Sequence, residues 1–421
     1  MPQPHRPAST APRVSKDHVR GLVRLGVDAT VGITNAAEHL HGVILSRMPL
    51  LKAGAEGRTA GLTGFAYRTV RRSTRWIGEA LDLGLASWPA SDPDGDAVLR
   101  GETLRAVLNG VWGDHLAENG NPLAIPMQFR LGGRPLTGPV PGAGPRVAVL
   151  LHGLCMNDLQ WHRRGHDHGR LLASLGWTPV YLHYNTGRHI SLNGQELADR
   201  LETLLQAWPV PVREVALVGH SMGGLVARSA CQVAQDRGLR WLQQVSSVVC
   251  LGSPHHGATL ERGGHLVDLA LGLSRYAAPF ARLGRARSAG ITDLRFGNLR
   301  DADWHGRERH HQAHDDREPV PWPSGVTPYL VAACLSERPD TRRARLLGDG
   351  LVPLASALGE HRDPRLDVSV PPAQRLVVAG TSHFDLLDSP AVAAQLRQWL
   401  TPRRSGRTRP TPNAEQGRRL D

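Results

Sequence analysis

The chain is expected to fold in the α/β class, as a mostly parallel central sheet with helices on both faces. Three observations lead there. Beyond residue 122, short β-branched runs alternate with helical stretches, the grammar of strand–helix–strand units. Two of those runs, 147–151 and 216–218, are continuously apolar, as strands covered on both faces must be. The 421 residues are 40% apolar and 21% charged, enough for a large core and unlike a collagen-like or disordered chain. At about 150 residues per domain the length accommodates two to three units, and one large domain with extensions is the economical division.

In chain order, residues 1–16 read as a disordered basic head. Residues 17–121 read as a helical extension, with apolar residues near helical spacing over 17–47 and 59–88 and a third helix over 96–111. The main domain spans 122–400. Its strands are expected at 125–131, 146–152, 178–183, 214–219, 245–251, 327–334 and 375–379. Helices should fill 191–207 and 221–235, and another should start after Ser389, an N-cap followed by Pro390 at the first helical position. Between 260 and 322 the alternation breaks into helical pieces at 266–273 and 276–283 and a His-rich polar run. A lid insertion over the open end of the sheet is expected there. Residues 401–421 read as a disordered basic tail.

Fifty basic residues against 38 acidic ones give a net charge of +12, but the head and the tail carry much of it. With aromatics at only 5% and no basic–aromatic interleaving, nucleic acid is not an expected partner. The four cysteines, Cys155, Cys231, Cys250 and Cys334, form no C-x-x-C pair and read as buried thiols. The first 20 residues lack the apolar core of a secretory signal, so the expected address is cytoplasmic. Arg71, Arg72 and Arg75 on the second N-terminal helix also suit peripheral contact with a membrane.

The chemistry is carried by Gly219-His220-Ser221-Met222-Gly223. This G-x-S-x-G run lies between a buried strand and an apolar helix, where a serine can stand on a sharp turn at the sheet's carboxyl end. A serine hydroxyl is a poor nucleophile until a base takes its proton, and that base needs a carboxylate to orient it. Asp349 sits in the glycine turn Gly348-Asp349-Gly350, and His383 follows the strand at 375–379, so the order is Ser221, Asp349, His383. His361 is the only other histidine past Asp349 and has no strand before it. The oxyanion of acyl transfer needs backbone donors. The Met222 amide follows the nucleophile, and the Leu154 amide follows an early strand, with Gly153 permitting the turn. His152, Gly153 and His220 are expected to line the substrate pocket. The His-rich stretches (His162, His166, His168; His305, His310, His311, His314 with Asp315 and Asp316) lack a scaffold for a four-ligand metal site, so no metal or cofactor is expected.

Taken together, Leu151-His152-Gly153-Leu154, the Ser221 elbow, Gly252-Ser253-Pro254-His255-His256-Gly257, Asp349-Gly350-Leu351-Val352-Pro353 and Ser382-His383 resemble an α/β-hydrolase of the lipase/esterase group. The pattern is similar to bacterial triacylglycerol lipases and to GPI inositol-deacylase-like hydrolases over residues 125–400. The resemblance implies that Pro254 and His255 line the substrate pocket near the nucleophile, and that carboxylic esters of a small molecule or lipid are hydrolysed through an acyl-enzyme. A thioesterase, amidase or polyester depolymerase would use the same triad, and an inert lipid- or partner-binding protein is the non-enzymatic alternative.

Overall fold

The computed structural model describes residues 95–258, 288–306 and 315–401, together with 20, 21, 23–28 and 31; over 95–100 it describes backbone alone. The strands are β1 (Gln128–Leu131), β2 (Arg134–Pro135), β3 (Arg146–Leu151), β4 (Thr178–His183), β5 (Glu214–His220), β6 (Val245–Leu251), β7 (Thr327–Ala333) and β8 (Arg375–Val378). They form one sheet in the order β2-β1-β4-β3-β5-β6-β7-β8. All neighbours from β4 to β8 are parallel, while β1 pairs antiparallel with both β2 and β4.

The helices are α1 (Gly95–Glu118), α2 (His168–Ser174), α3 (Ile190–Gln206), α4 (Met222–Arg237), α5 (Ala289–Phe296), α6 (Arg342–Leu347), α7 (Leu354–Ala357) and α8 (Pro390–Leu400). Because side chains alternate along a strand, the two continuous apolar runs feed two different cores. Val147, Val149, Leu151, Val215 and Leu217 point to one face, where Leu197 and Leu201 of α3 and Leu225 and Val226 of α4 cover them. Ala148, Leu150, Ala216 and Val218 point to the other, under Leu171 and Leu172 of α2 and Val392 and Leu396 of α8. Each fully buried Val or Leu contributes about 1.5–3 kcal/mol, so β3 and β5 anchor the domain.

Ser389 caps α8 by accepting from the Val392 amide, with Pro390 at the first helical position as expected. Some elements differ from the sequence reading. Residues 125–127 are not strand, because the Ile125 amide is taken by Asn109 Oδ1 of α1 (2.9 Å) and not by a neighbouring strand. Helix α1 runs on to Glu118 across a break at Trp112, where φ is −133°. Helices α2, α5, α6 and α7 and strand β2 were not anticipated; each is short, and periodicity needs length to show.

The head, the helix expected at 59–88, the lid's helical pieces at 266–273 and 276–283, and the tail beyond 401 lie outside the described residues. Of the first expected helix, Arg20, Gly21, 23–28 and Val31 are described, as helix. Among the described residues no helix is long and apolar enough to cross a membrane.

Candidate active site

Ser221 stands between β5 and α4 with φ 53° and ψ −121°. A non-glycine residue in that region costs about 1–3 kcal/mol and persists only where its surroundings over-determine it. The surroundings do so here. The Ser221 amide donates to Leu251 O of β6 (2.8 Å). A Cβ on Gly219 would lie 2.3 Å from Gly224 N, and one on Gly223 would lie 2.2 Å from Leu151 O. Both glycines of the motif are therefore required by close backbone approach. The Met222 amide is the first of α4 and one of the N–H groups a helix cannot satisfy internally.

Asp349 is held by its own turn. Its Oδ1 accepts from the amides of Leu351 (2.9 Å) and Val352 (2.8 Å), with Gly348 at φ 52° and Gly350 at φ 96°. That leaves Oδ2 for His383, whose Nδ1 lies 2.6 Å away, and both side chains are buried. The His383 amide also donates to Asp349 O (3.3 Å). His361, the rejected alternative, lies instead against His256 and Asp315.

One cavity brings Ser221 and His383 together with Gly153, Leu154, His220 and Pro254. Its remaining walls are apolar: Met156, Ala258, Leu294, Leu351, Val352 and Phe384. Two pocket assignments need correction. His152 does not line this cavity; it is buried beneath the loop, stacked 4.4 Å from the Tyr184 ring, with Nδ1 donating to Gly153 O (3.0 Å). Burial pulls its pKa down to about 3. His255 is likewise buried elsewhere, accepting at Nδ1 from Arg228 Nη1 (3.0 Å) and edge-on to Trp322.

The turn at Leu154 also differs in mechanism from the expected one. Gly153 is needed because a Cβ there would approach Ser221 Cβ to 3.0 Å, while the left-handed residue of the turn is Cys155, φ 60°. All four cysteines are buried, as read from the sequence, and burial pushes the Cys155, Cys231 and Cys250 thiols up to about 12.

Several supporting roles were not anticipated. His220 Nε2 donates to His383 O (3.1 Å), its ring 4.8 Å from that of His383, and burial keeps it neutral, well below the usual histidine range. His168, weighed above only as a metal ligand, bonds through Nε2 to Leu386 O (3.0 Å) on the segment after His383. Arg163 and Arg164 grip the same segment through Asp385 (both 3.1 Å) and Asp388 (both 3.4 Å), and Ser382 donates to Asp385. Apart from the Ser382–Asp385 contact, these bonds join positions more than 160 residues apart, and local sequence held no signal for them. Among the described residues, no group of three or more His, Cys, Asp or Glu is arranged to hold a metal; His310, His311 and His314 lie outside them.

No protein of curated function matches the chain. Among solved structures, the mature lipase BlEst2 of Bacillus licheniformis is similar at 19% identity, covering 66% of this chain and 98% of that one with a TM-score of 0.40. The Pyrococcus furiosus esterase Pf2001 follows at 14%, 62% and 84% (TM-score 0.32). The type II thioesterase YbtT of the yersiniabactin pathway is similar at 16%, 63% and 96% (TM-score 0.35). Likeness at that level carries no argument. Residues 146–313 match the family model described as PGAP1-like alpha/beta domain, and the chain has an α/β-hydrolase fold, a mostly parallel eight-stranded sheet with helices.

Proposed function

We propose that the protein is a serine hydrolase that cleaves carboxylic esters through an acyl-enzyme. The observation that carries this reading is a single cavity lined both by Ser221, held in the strained elbow, and by His383, whose Nδ1 is 2.6 Å from Asp349.

With a carboxylate accepting at Nδ1, the neutral imidazole of His383 keeps its proton there and offers the Nε2 lone pair. Nε2 takes the Ser221 proton as Oγ bonds to the ester carbonyl carbon, and the carbonyl π pair moves onto oxygen. The amides of Leu154 and Met222 stabilise that oxyanion; losing one such donor costs about 10²–10³ in turnover. On collapse the C–O bond to the alcohol breaks, and the alkoxide leaves with the proton from Nε2. Water then repeats the sequence on the acyl-enzyme, releasing the acid and restoring Ser221. The apolar walls, among them Leu154, Met156, Leu294 and Phe384, suit an apolar acyl group better than a charged one.

The test is hydrolysis of p-nitrophenyl butyrate by the wild type and by Ser221→Ala. Serine-dependent turnover is expected; equal rates in both proteins would end the reading.

A further inference from the structure

The acyl-transfer reading leaves the N-terminal helical extension without a role, yet helix α1 is pressed directly onto the turn that carries Leu154. A Cβ on Gly110 would stand 2.2 Å from Cys155 Sγ and 3.0 Å from both its Cα and its backbone N. With the Cys155 sulfur in place there is no room for a side chain at position 110. Val107, one helical turn earlier, is 3% exposed and packs against Cys155.

The same helix grips the neighbouring loop. Asn185 Nδ2 donates to Gly113 O (2.7 Å), and a Cβ on Gly187 would stand 2.1 Å from Asn109 O. That loop in turn presents Thr186 Oγ1 to the Cys155 amide (3.2 Å). Cys155 is thus clamped between Gly110 on one side and Thr186 on the other while its backbone holds φ 60°, a conformation an isolated non-glycine residue avoids.

We infer that helix α1 is a positioning element for the oxyanion turn: by clamping Cys155 through Gly110 it fixes the direction of the adjacent Leu154 amide. The inference rests on the ester-hydrolase reading above. Since the oxyanion exists only in the transition state, a displaced donor lowers kcat and leaves KM nearly unchanged. A merely structural helix would lower stability without that split.

A double-mutant cycle on the full chain tests it with p-nitrophenyl butyrate. Gly110→Ala drives a methyl into Cys155 Sγ. At temperatures where the variant remains folded by circular dichroism, kcat is expected to fall at least about tenfold, with KM within about twofold. Cys155→Ala removes the clashing sulfur, so the Gly110→Ala/Cys155→Ala pair should recover most of the loss relative to Cys155→Ala alone. Should Gly110→Ala not fold, Val107→Ala removes methyls from the same face without intrusion and should lower kcat about threefold, again without a change in KM. Folded variants that turn over at the wild-type rate, or lose only KM, or show a loss of kcat that the pair does not recover, overturn the inference and leave the hydrolase reading intact. Wild-type protein with no Ser221-dependent turnover overturns both.

Discussion

Two tight turns border the cavity, and they are built in opposite ways. The turn carrying Asp349 is shaped mainly by its own residues. Two glycines supply its left-handed residues, and the carboxylate takes the amides two and three positions on. The turn carrying Leu154 puts a cysteine in the left-handed region and is held by residues 31 to 48 positions away. A turn coded by its own residues is readable from a six-residue window, and damage to it is expected as lost stability. A turn coded by distant partners is not readable locally, and damage to it is expected as lost catalysis.

The largest expected effect lies in the contact of the acid turn with His383 Nδ1. Asp349→Asn preserves shape but presents an amide to His383 Nδ1, favouring the wrong tautomer, and kcat for p-nitrophenyl butyrate should fall by about 10³–10⁴. A loss under tenfold would mean another carboxylate orients the base. Next is Gly348→Ala, whose methyl would meet Val352 O at 1.8 Å in a left-handed position. Urea unfolding should show a loss of about 2–4 kcal/mol; an unshifted midpoint would show that the turn is not self-determined. On the other side, Thr186→Val removes the hydroxyl that accepts from the Cys155 amide while keeping its volume. Stability should drop by only about 1 kcal/mol, with a several-fold loss in kcat. The reverse pattern, large destabilisation and wild-type kcat, would erase the contrast between the turns.

A pH effect follows from the histidines behind both turns. Burial lowers His152 to about 3 and His168 and His256 to about 4, and lowers His183, His220 and His255 in the same direction. Their folded values lie below the unfolded value near 6.5, so below that pH the unfolded chain binds more protons and stability falls with acidification. Between pH 6.5 and about 4 the urea midpoint should decline steeply, and His168→Asn should flatten that slope by about one proton. A flat profile over this window would contradict the burial of these rings. The smallest effect is expected at the rim. Arg163→Ala and Arg164→Ala should each cost under about 1 kcal/mol and lose even that in high salt, because these ion pairs are partly exposed.

The contrast between the turns also explains what could be read from the chain alone. The strands 178–183 and 245–251 have the expected bounds because short runs with β-branched residues stand between turn signals, even though Pro179 sits in the first and Ser246 and Ser247 interrupt the second. Ser221, Asp349 and His383 were proposed from local motifs, and the structure brings Ser221 and His383 to one cavity and Asp349 against His383. His152 and His255 were misplaced because adjacency to a motif does not say which way a ring turns. Each is drawn away from the cavity by partners distant in sequence: Tyr184 for the first, and Arg228 and Trp322 for the second. The clamp of α1 on Cys155 was invisible for a related reason. Gly110 reads as a weak spot in a helix, and only the packed structure shows it as the point of contact.

Reaction with a fluorophosphonate, followed by mass mapping of the adduct, tests the central claim most directly. The account predicts one adduct on the peptide holding Ser221, absent in Ser221→Ala and formed far more slowly in His383→Ala. Stoichiometric labelling at a different serine, or labelling of Ser221 at the same rate without the imidazole, would contradict it.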